Sequence, residues 1–202
     1  MEDQIEQSVK EAETNYDRSH DGIKNVCNEV VEIDTTEFKS NFIAGDPIPP
    51  TKRYPKVNGT LTIQTGNSAY TFTDNDDHGD YDPRYIVVGE DTNKNWIWVL
   101  EQGLHTGRYL LINTKTSRID TLVGTVRIQG DIIVSLQDDN TDSPRIVEIY
   151  KIKGDRIIPI NKFSLQPCER LCCVRTIYLK GNIIYIAAND FKEWRAWKAE
   201  VF

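Results

Sequence analysis

The chain has 202 residues, 39% of them apolar, and carries 31 acidic against 24 basic side chains for a formal net charge of −7. That length fits one large domain or a domain with an appendage, and no apolar run approaches the roughly eighteen residues of a membrane span. Residues 1–37 hold eleven acids and three bases while the rest holds twenty acids and twenty-one bases, so the chain lacks the basic footprint of a nucleic-acid binder.

The first residues, Met1 to Glu13, have no basic n-region and no apolar h-region, so they are not a signal peptide as they stand. The expectation is a cytoplasmic protein, or a periplasmic or envelope one if an export signal preceded this sequence. The acidic segment either faces a basic partner and steers its approach or is a solvated tail. Ile5, Val9, Ala12 and Tyr16 recur at steps of four, three and four, one face of a helix. The stripe is thin, and such a helix needs the main domain to hold it. Asp21-Gly22 is a break. Ile23, Val26, Cys27, Val30 and Val31 form a second helical stripe, although Val30 to Ile33 also suits a strand. The expectation is helix to about Glu29 and a short strand after it. Residues 44–59 contain Gly45-Asp46-Pro47-Ile48-Pro49-Pro50, Pro55 and Asn58-Gly59. Each proline removes a backbone donor, so this stretch is a connector and not a central strand. The organisation expected is therefore an acidic, partly helical segment over 1–43, a connector over 44–59 and an antiparallel β domain over 60–202.

From Thr60 onward short β-rich runs alternate with polar turns. Strands are expected at Thr60–Gln64, Ala69–Thr73, Tyr85–Val88, Trp96–Glu101, Tyr109–Asn113, Ile119–Val123, Asp131–Gln137, Ile146–Ile152, Arg156–Phe163, Val174–Leu179, Ile183–Ala187 and Trp194–Phe202. Gly66-Asn67, Asn93-Lys94-Asn95, Lys153-Gly154-Asp155 and Lys180-Gly181-Asn182 are tight-turn signals that join them as hairpins. No long helical pattern interrupts the series, which argues against a parallel α/β sheet. Trp96 to Leu100, Ile132 to Leu136 and Ile183 to Ile186 are apolar on both faces, where a one-sided sheet would alternate. Strands covered on both sides predict stacked sheets. The last strand is one-sided, with Trp197, Ala199 and Val201 opposite Lys198 and Glu200, and suits an edge or outer strand.

Tyr109 to Thr116 followed by Ile119 to Leu122, and Gly130 to Ser135, resemble the strand pairs of WD40-like and TolB-like propeller blades. The resemblance covers about one and a half blades, and the Trp-Asp dipeptide of such blades is absent. It implies a mainly β, propeller-like meander serving as a binding platform. At roughly 40–45 residues per blade, residues 57–202 supply about three, and closed propellers start at about four. An open meander, a sandwich or a barrel built from similar hairpins is the alternative.

The densest polar cluster runs from Asp74 through Asp76, His78 and Asp80 to Asp82. Asp74, Asp76 and Asp80, with Gly79, partly echo a calcium loop, in which alternate carboxylates converge around a glycine turn. His78 is a poor calcium ligand, and Tyr85 stands where the bidentate glutamate belongs. The alternatives are a solvated hairpin loop or a partner-binding loop, since loops on rigid β scaffolds commonly carry recognition. His105 sits between Gly103 and Gly107, which let that loop approach a ligand closely, and Arg108 follows it. Cys27, Cys168, Cys172 and Cys173 have neither zinc-ribbon nor redox spacing. They suit buried thiols in the cytoplasm, or a bridge from Cys27 to a later cysteine in an exported protein. Phosphate-loop, Gly-x-Ser-x-Gly and His-Glu-x-x-His patterns are missing, and no cofactor pattern is present.

These observations favour a non-catalytic protein-binding module, with Asp74, Asp76, His78, Asp80, Asp82, His105 and Arg108 as binding candidates. One concrete form is a bacterial immunity or inhibitor protein whose expected partner is a basic toxin. An envelope lipoprotein-like domain and a hydrolase with a site near Asp76 and His78 are the competing expectations.

Overall fold

The structure, a computed structural model, describes residues 24–25, 29–66, 68–75, 83–103, 107–137, 145–165, 174–189 and 193–202. In chain order the elements are β1 (Lys24–Asn25), β2 (Val31–Ile33), α1 (Thr35–Asn41), β3 (Thr60–Gln64), β4 (Ala69–Thr73), β5 (Arg84–Asp91), β6 (Trp96–Gln102) and β7 (Gly107–Asn113). They continue with β8 (Ile119–Val123), β9 (Thr125–Gln129), β10 (Ile132–Gln137), β11 (Ile146–Lys153), β12 (Arg156–Ser164), β13 (Val174–Lys180), β14 (Ile183–Asn189) and β15 (Trp194–Glu200). The protein is mainly β, as the alternation of short apolar runs and turns predicts. It forms two compact units. One comprises Pro47–Thr125 with Gly154–Arg156; the other comprises residues up to Asp46 together with Val126–Lys153 and Ile157–Phe202.

In the 47–125 unit, β5 to β8 make a four-stranded up-and-down sheet, and β3 and β4 make a two-stranded hairpin. The two sheets stack through Leu61 and Ile63 of the hairpin against Ile97, Val99, Leu110 and Ile112 of the larger sheet. The apolar-on-both-faces pattern of β6 is real: Ile97 and Val99 enter this core, and Trp96 and Trp98 are buried on the opposite face. Each fully buried aliphatic side chain of this kind contributes roughly 1.5–3 kcal/mol. The proline-rich stretch is not slack. At a bulge between Val87 and Gly89, the Glu90 amide donates to the Pro49 carbonyl at 2.8 Å. A Cβ on Gly89 would lie 2.2 Å from that carbonyl oxygen and 2.7 Å from Ile48, so only glycine lets the strap come this close. The Glu90 carboxylate then collects Thr51 at 3.3 Å, Arg53 at 2.9 Å and Tyr54 at 3.3 Å. The prolines forfeit donors that the edge does not need, because the strap contributes an acceptor.

In the other unit a five-stranded sheet in the order β1-β12-β11-β10-β9 stacks on a four-stranded sheet in the order β13-β14-β15-β2. One core joins them: Val134, Leu136, Val147, Ile149, Ile158 and Ile160 from the first, and Ile177, Ile184, Ile186, Trp197 and Ala199 from the second. The expected one-sidedness of the last strand holds, since Trp197, Ala199 and Val201 face this core. Its expected edge position does not. β2 pairs with it, Ala196 opposite Ile33 and Lys198 opposite Val31, because a short chain segment arriving from far upstream can cap a strand that looks terminal in sequence.

Two other differences are local. Lys24 and Asn25 pair parallel to β12, where a helical stripe over 23–29 was expected; the strand expected after Glu29 is β2. The helical reading of residues 4–16 lies outside the described residues. The helix that is present, α1, follows Asp34, whose carboxylate accepts the amides of Thr36 and Glu37 at 2.6 and 2.8 Å. Seven residues cannot sustain a helix alone. Phe38 and Phe42 fix it by packing edge-on against Tyr178, with ring centroids 5.3 and 5.5 Å away. Tyr178 also donates to the Phe38 carbonyl at 3.0 Å, and Lys198 bonds Glu37 at 2.6 Å. After α1 the chain lies along β9, the Asp46 amide donating to Ile128 at 2.7 Å and the Asp46 carboxylate accepting from Gly130 at 2.6 Å. Among the described residues no helix is long and apolar enough to cross a membrane.

Candidate functional site

Strand pairing brings two of the sequence-selected loops to one end of the 47–125 unit. Arg84, where β5 begins, pairs with Gln102 at the end of β6, and Gln102 pairs with Gly107 at the start of β7. The base of the first loop is closed by the Asn75 amide donating to Pro83 at 3.3 Å. Beside the second, the Gly124 amide donates to Gly107 at 2.9 Å. The loops carrying Asp76, His78, Asp80 and Asp82, and His105, therefore spring from adjacent strand ends. Those five residues lie outside the described residues, as do Cys27, Cys168, Cys172 and Cys173; Asp74 and Arg108 lie within them.

Asp74 directly follows β4 and anchors the first loop. Its carboxylate oxygens accept from Lys56 Nζ at 2.6 and 2.9 Å, and Oδ1 also accepts the Tyr85 amide at 2.9 Å. Desolvation pushes its pKa upward, but the hydrogen bonds from Lys56 and the Tyr85 amide, with the charges of Lys56 and Arg84, outweigh it and hold the carboxyl below the usual aspartate value. A carboxylate stabilised in its charged form and already bonded to a lysine ammonium is a poor general base. Among the described residues no three His, Cys, Asp or Glu side chains gather as a metal site.

Arg108 presents a fixed charge. Its guanidinium lies 2.8 Å from Glu101, whose side chain is 5% exposed against 48% for the arginine. Burial raises the pKa of Tyr85, with the Glu101 charge and a hydrogen bond to that carboxylate adding to the shift and Arg108 opposing it. Tyr85 stays a neutral donor at neutral pH. Its ring packs on Phe72, centroids 5.1 Å apart, which ties the hairpin to this end of the sheet. Lys56, Asp74, Tyr85, Glu101 and Arg108 thus form one linked set, the last three on β5, β6 and β7. Sequence analysis missed Lys56, Tyr85 and Glu101. Glu101 had a signal: it follows Ile97 and Val99 on the inward register of β6, where a carboxylate needs a partner.

A second polar group lies in the other unit. Tyr150 donates to Glu148 at 2.5 Å, and Lys162 lies 3.1 Å from the other oxygen of Glu148. The Lys162 and Glu148 side chains are 13% and 15% exposed. This pair neutralises itself within the sheet, as buried charges must. Of the four tryptophans, Trp96, Trp98 and Trp197 are buried and Trp194 is 54% exposed. Comparison of the chain with protein-family models, with curated proteins and with solved structures returns no match.

Proposed function

We propose that this protein is a non-catalytic protein-binding module that engages its partner with the loop end of the 47–125 unit. The observation that carries the reading is the side-by-side origin of the loops after Asp74 and before Arg108 on paired strand ends. Both flanks are held by ion pairs, Lys56 to Asp74 and Arg108 to Glu101. Charges prepaid in their geometry by a stiff sheet favour recognition, because binding then costs little side-chain ordering. Asp74, Asp76, His78, Asp80, Asp82, His105 and Arg108 are the residues assigned to it. A toxin-neutralising immunity or inhibitor protein is the concrete form we favour, with the acidic residues of the N-terminal segment and of the Asp74–Asp82 stretch suiting a basic partner. The propeller-like reading belongs with this proposal: β5 to β8 is a four-stranded meander of the kind that makes a blade.

The test is affinity capture from the source cell with the wild-type chain and with two variants, one exchanging residues 76–82 for a glycine–serine loop of equal length and one carrying Arg108→Gln. Folding of each is checked by circular dichroism. A protein retained by the wild type and lost at least tenfold by both folded variants supports the reading. Equal retention by all three moves recognition elsewhere on the molecule, and retention of no protein at micromolar concentration removes the proposal.

A further inference from the structure

We infer that two copies of this chain associate through the outer edge of β4, joining their hairpins into one four-stranded antiparallel sheet. A sheet edge invites pairing, and proteins normally guard it with charges, prolines, bulges or a covering segment. Most edges here are guarded. The strap at Pro49 covers β5, and residues 43–46 lie on β9. β2 takes the side of β15 away from β14, and β1 takes the side of β12 away from β11. The Arg118–Asp120 pair at 2.7 Å sits at the start of β8. β13 is bulged between Val174 and Thr176 and carries Arg175 and Lys180. On the far side of the hairpin, Thr60 and Val57 exchange bonds at 2.9 Å.

Among the described residues, β4 has none of these. Ala69-Tyr70-Thr71-Phe72-Thr73 contains no charge, no proline and no bulge. Among the described residues, it pairs with β3 alone. Its bonding parity is fixed by the ends of the ladder: the Asp74 amide donates to Gly59 and the Thr65 amide to Ser68. Residues two apart share a bonding direction, so Tyr70 and Phe72 bond inward to β3 while Ala69, Thr71 and Thr73 aim their N–H and C=O groups outward.

That outward set is self-complementary. A twofold axis through Thr71 places Thr71 opposite Thr71 of the second copy and Ala69 opposite Thr73 of the second copy, and every outward donor then meets an acceptor. Tyr70 falls opposite Phe72 of the second copy in the close, non-bonded register, where aromatic pairs stabilise sheets. Tyr70 is already held, its hydroxyl donating to the Ser117 carbonyl. No like charges meet: Asp74 falls opposite Ser68, and Lys56 already neutralises Asp74. A twofold closed contact of this kind stops at the dimer. A five-residue edge is small, so the association is weak, with Kd on the order of 0.1 mM.

The test is sedimentation equilibrium of the full chain from about 10 μM to 1 mM. The mass should rise from the 23.2 kDa monomer toward twice that value. Thr71→Lys and Thr71→Glu each place like charges on the axis, and each alone should weaken association at least tenfold. An equimolar mixture of the two should restore it, which a merely misfolded strand would not. A wild type that stays monomeric at 1 mM overturns the inference. So does a dimer that Thr71→Lys leaves intact, or a pair of weakened variants whose mixture fails to recover. These outcomes are independent of whether affinity capture finds a partner.

Discussion

At the residue scale, charged side chains here act by being pinned. Arg108→Ala removes the guanidinium paired with the buried Glu101 carboxylate. Because the arginine is half exposed, its pairing is partly screened, and the expected loss is about 1 kcal/mol, read as a lower urea midpoint at unchanged slope. Tyr178 makes the clearest pH prediction. Burial, then the stacked Tyr185 phenol, push its pKa up to about 12, with Arg127 opposing. The fully folded protein therefore favours the neutral phenol more than the unfolded chain does. Its contribution is complete below the unfolded tyrosine value of about 10 and is lost as pH rises from there through about 12. Urea midpoints measured between pH 9 and 12 should fall more steeply for the wild type than for Tyr178→Phe. Parallel slopes would mean that burial does not control this phenol. Such pinning was only partly legible in the sequence. The composition of the Asp74 to Asp82 stretch marked a polar site, but Lys56 lies in a proline-rich connector with no pattern of its own, and only the fold carries it to Asp74.

At the element scale, segments that read as connectors turn out to protect edges. The Pro49 strap depends on a missing side chain. Gly89→Ala would set a methyl 2.2 Å from the Pro49 oxygen, so either the strap lifts or β5 shifts. The expected cost is about 2–3 kcal/mol, and the amide of Glu90 should lose its hydrogen-exchange protection. Unchanged protection at Glu90 would show that the strap does not depend on that glycine. α1 depends on its aromatic seat in the same way. Phe38→Ala should cost about 2 kcal/mol and release the amides of residues 38–41 to exchange at rates well above those of β14. Strand existence was the most legible feature, since period and turn chemistry are local. The tight turns at Asn93 to Asn95, Lys153 to Asp155 and Lys180 to Asn182 place Asn95, Gly154 and Gly181 at positive φ, as such hairpins require. β9 was not legible, because Gly124 and Gly130 bracket five residues too short to stand apart from a turn. Nor was α1, although Asp34 followed three residues later by Glu37 is a capping signal.

At the scale of the whole molecule, chain order and spatial order diverge. The sequence reads as an N-terminal segment, a connector and one β domain. The fold instead gives residues 31–46 to the unit that holds Val126–Lys153 and Ile157–Phe202, and Pro47–Thr125 forms a unit between them in sequence. No local pattern announces this, because a three-residue strand such as β2 finds its place only through its partner, β15. The division gives the functional reading its shape. If the 47–125 unit carries recognition, the strands of residues 126–202 should be bystanders.

Hydrogen exchange read by mass spectrometry, on the full chain with and without the protein that affinity capture retains, tests this most directly. Protection gained at residues 74–84 and 102–108, with 126–202 unchanged, is the result expected. Protection confined to 126–202, or turnover of a small molecule with no protein partner retained, would contradict it.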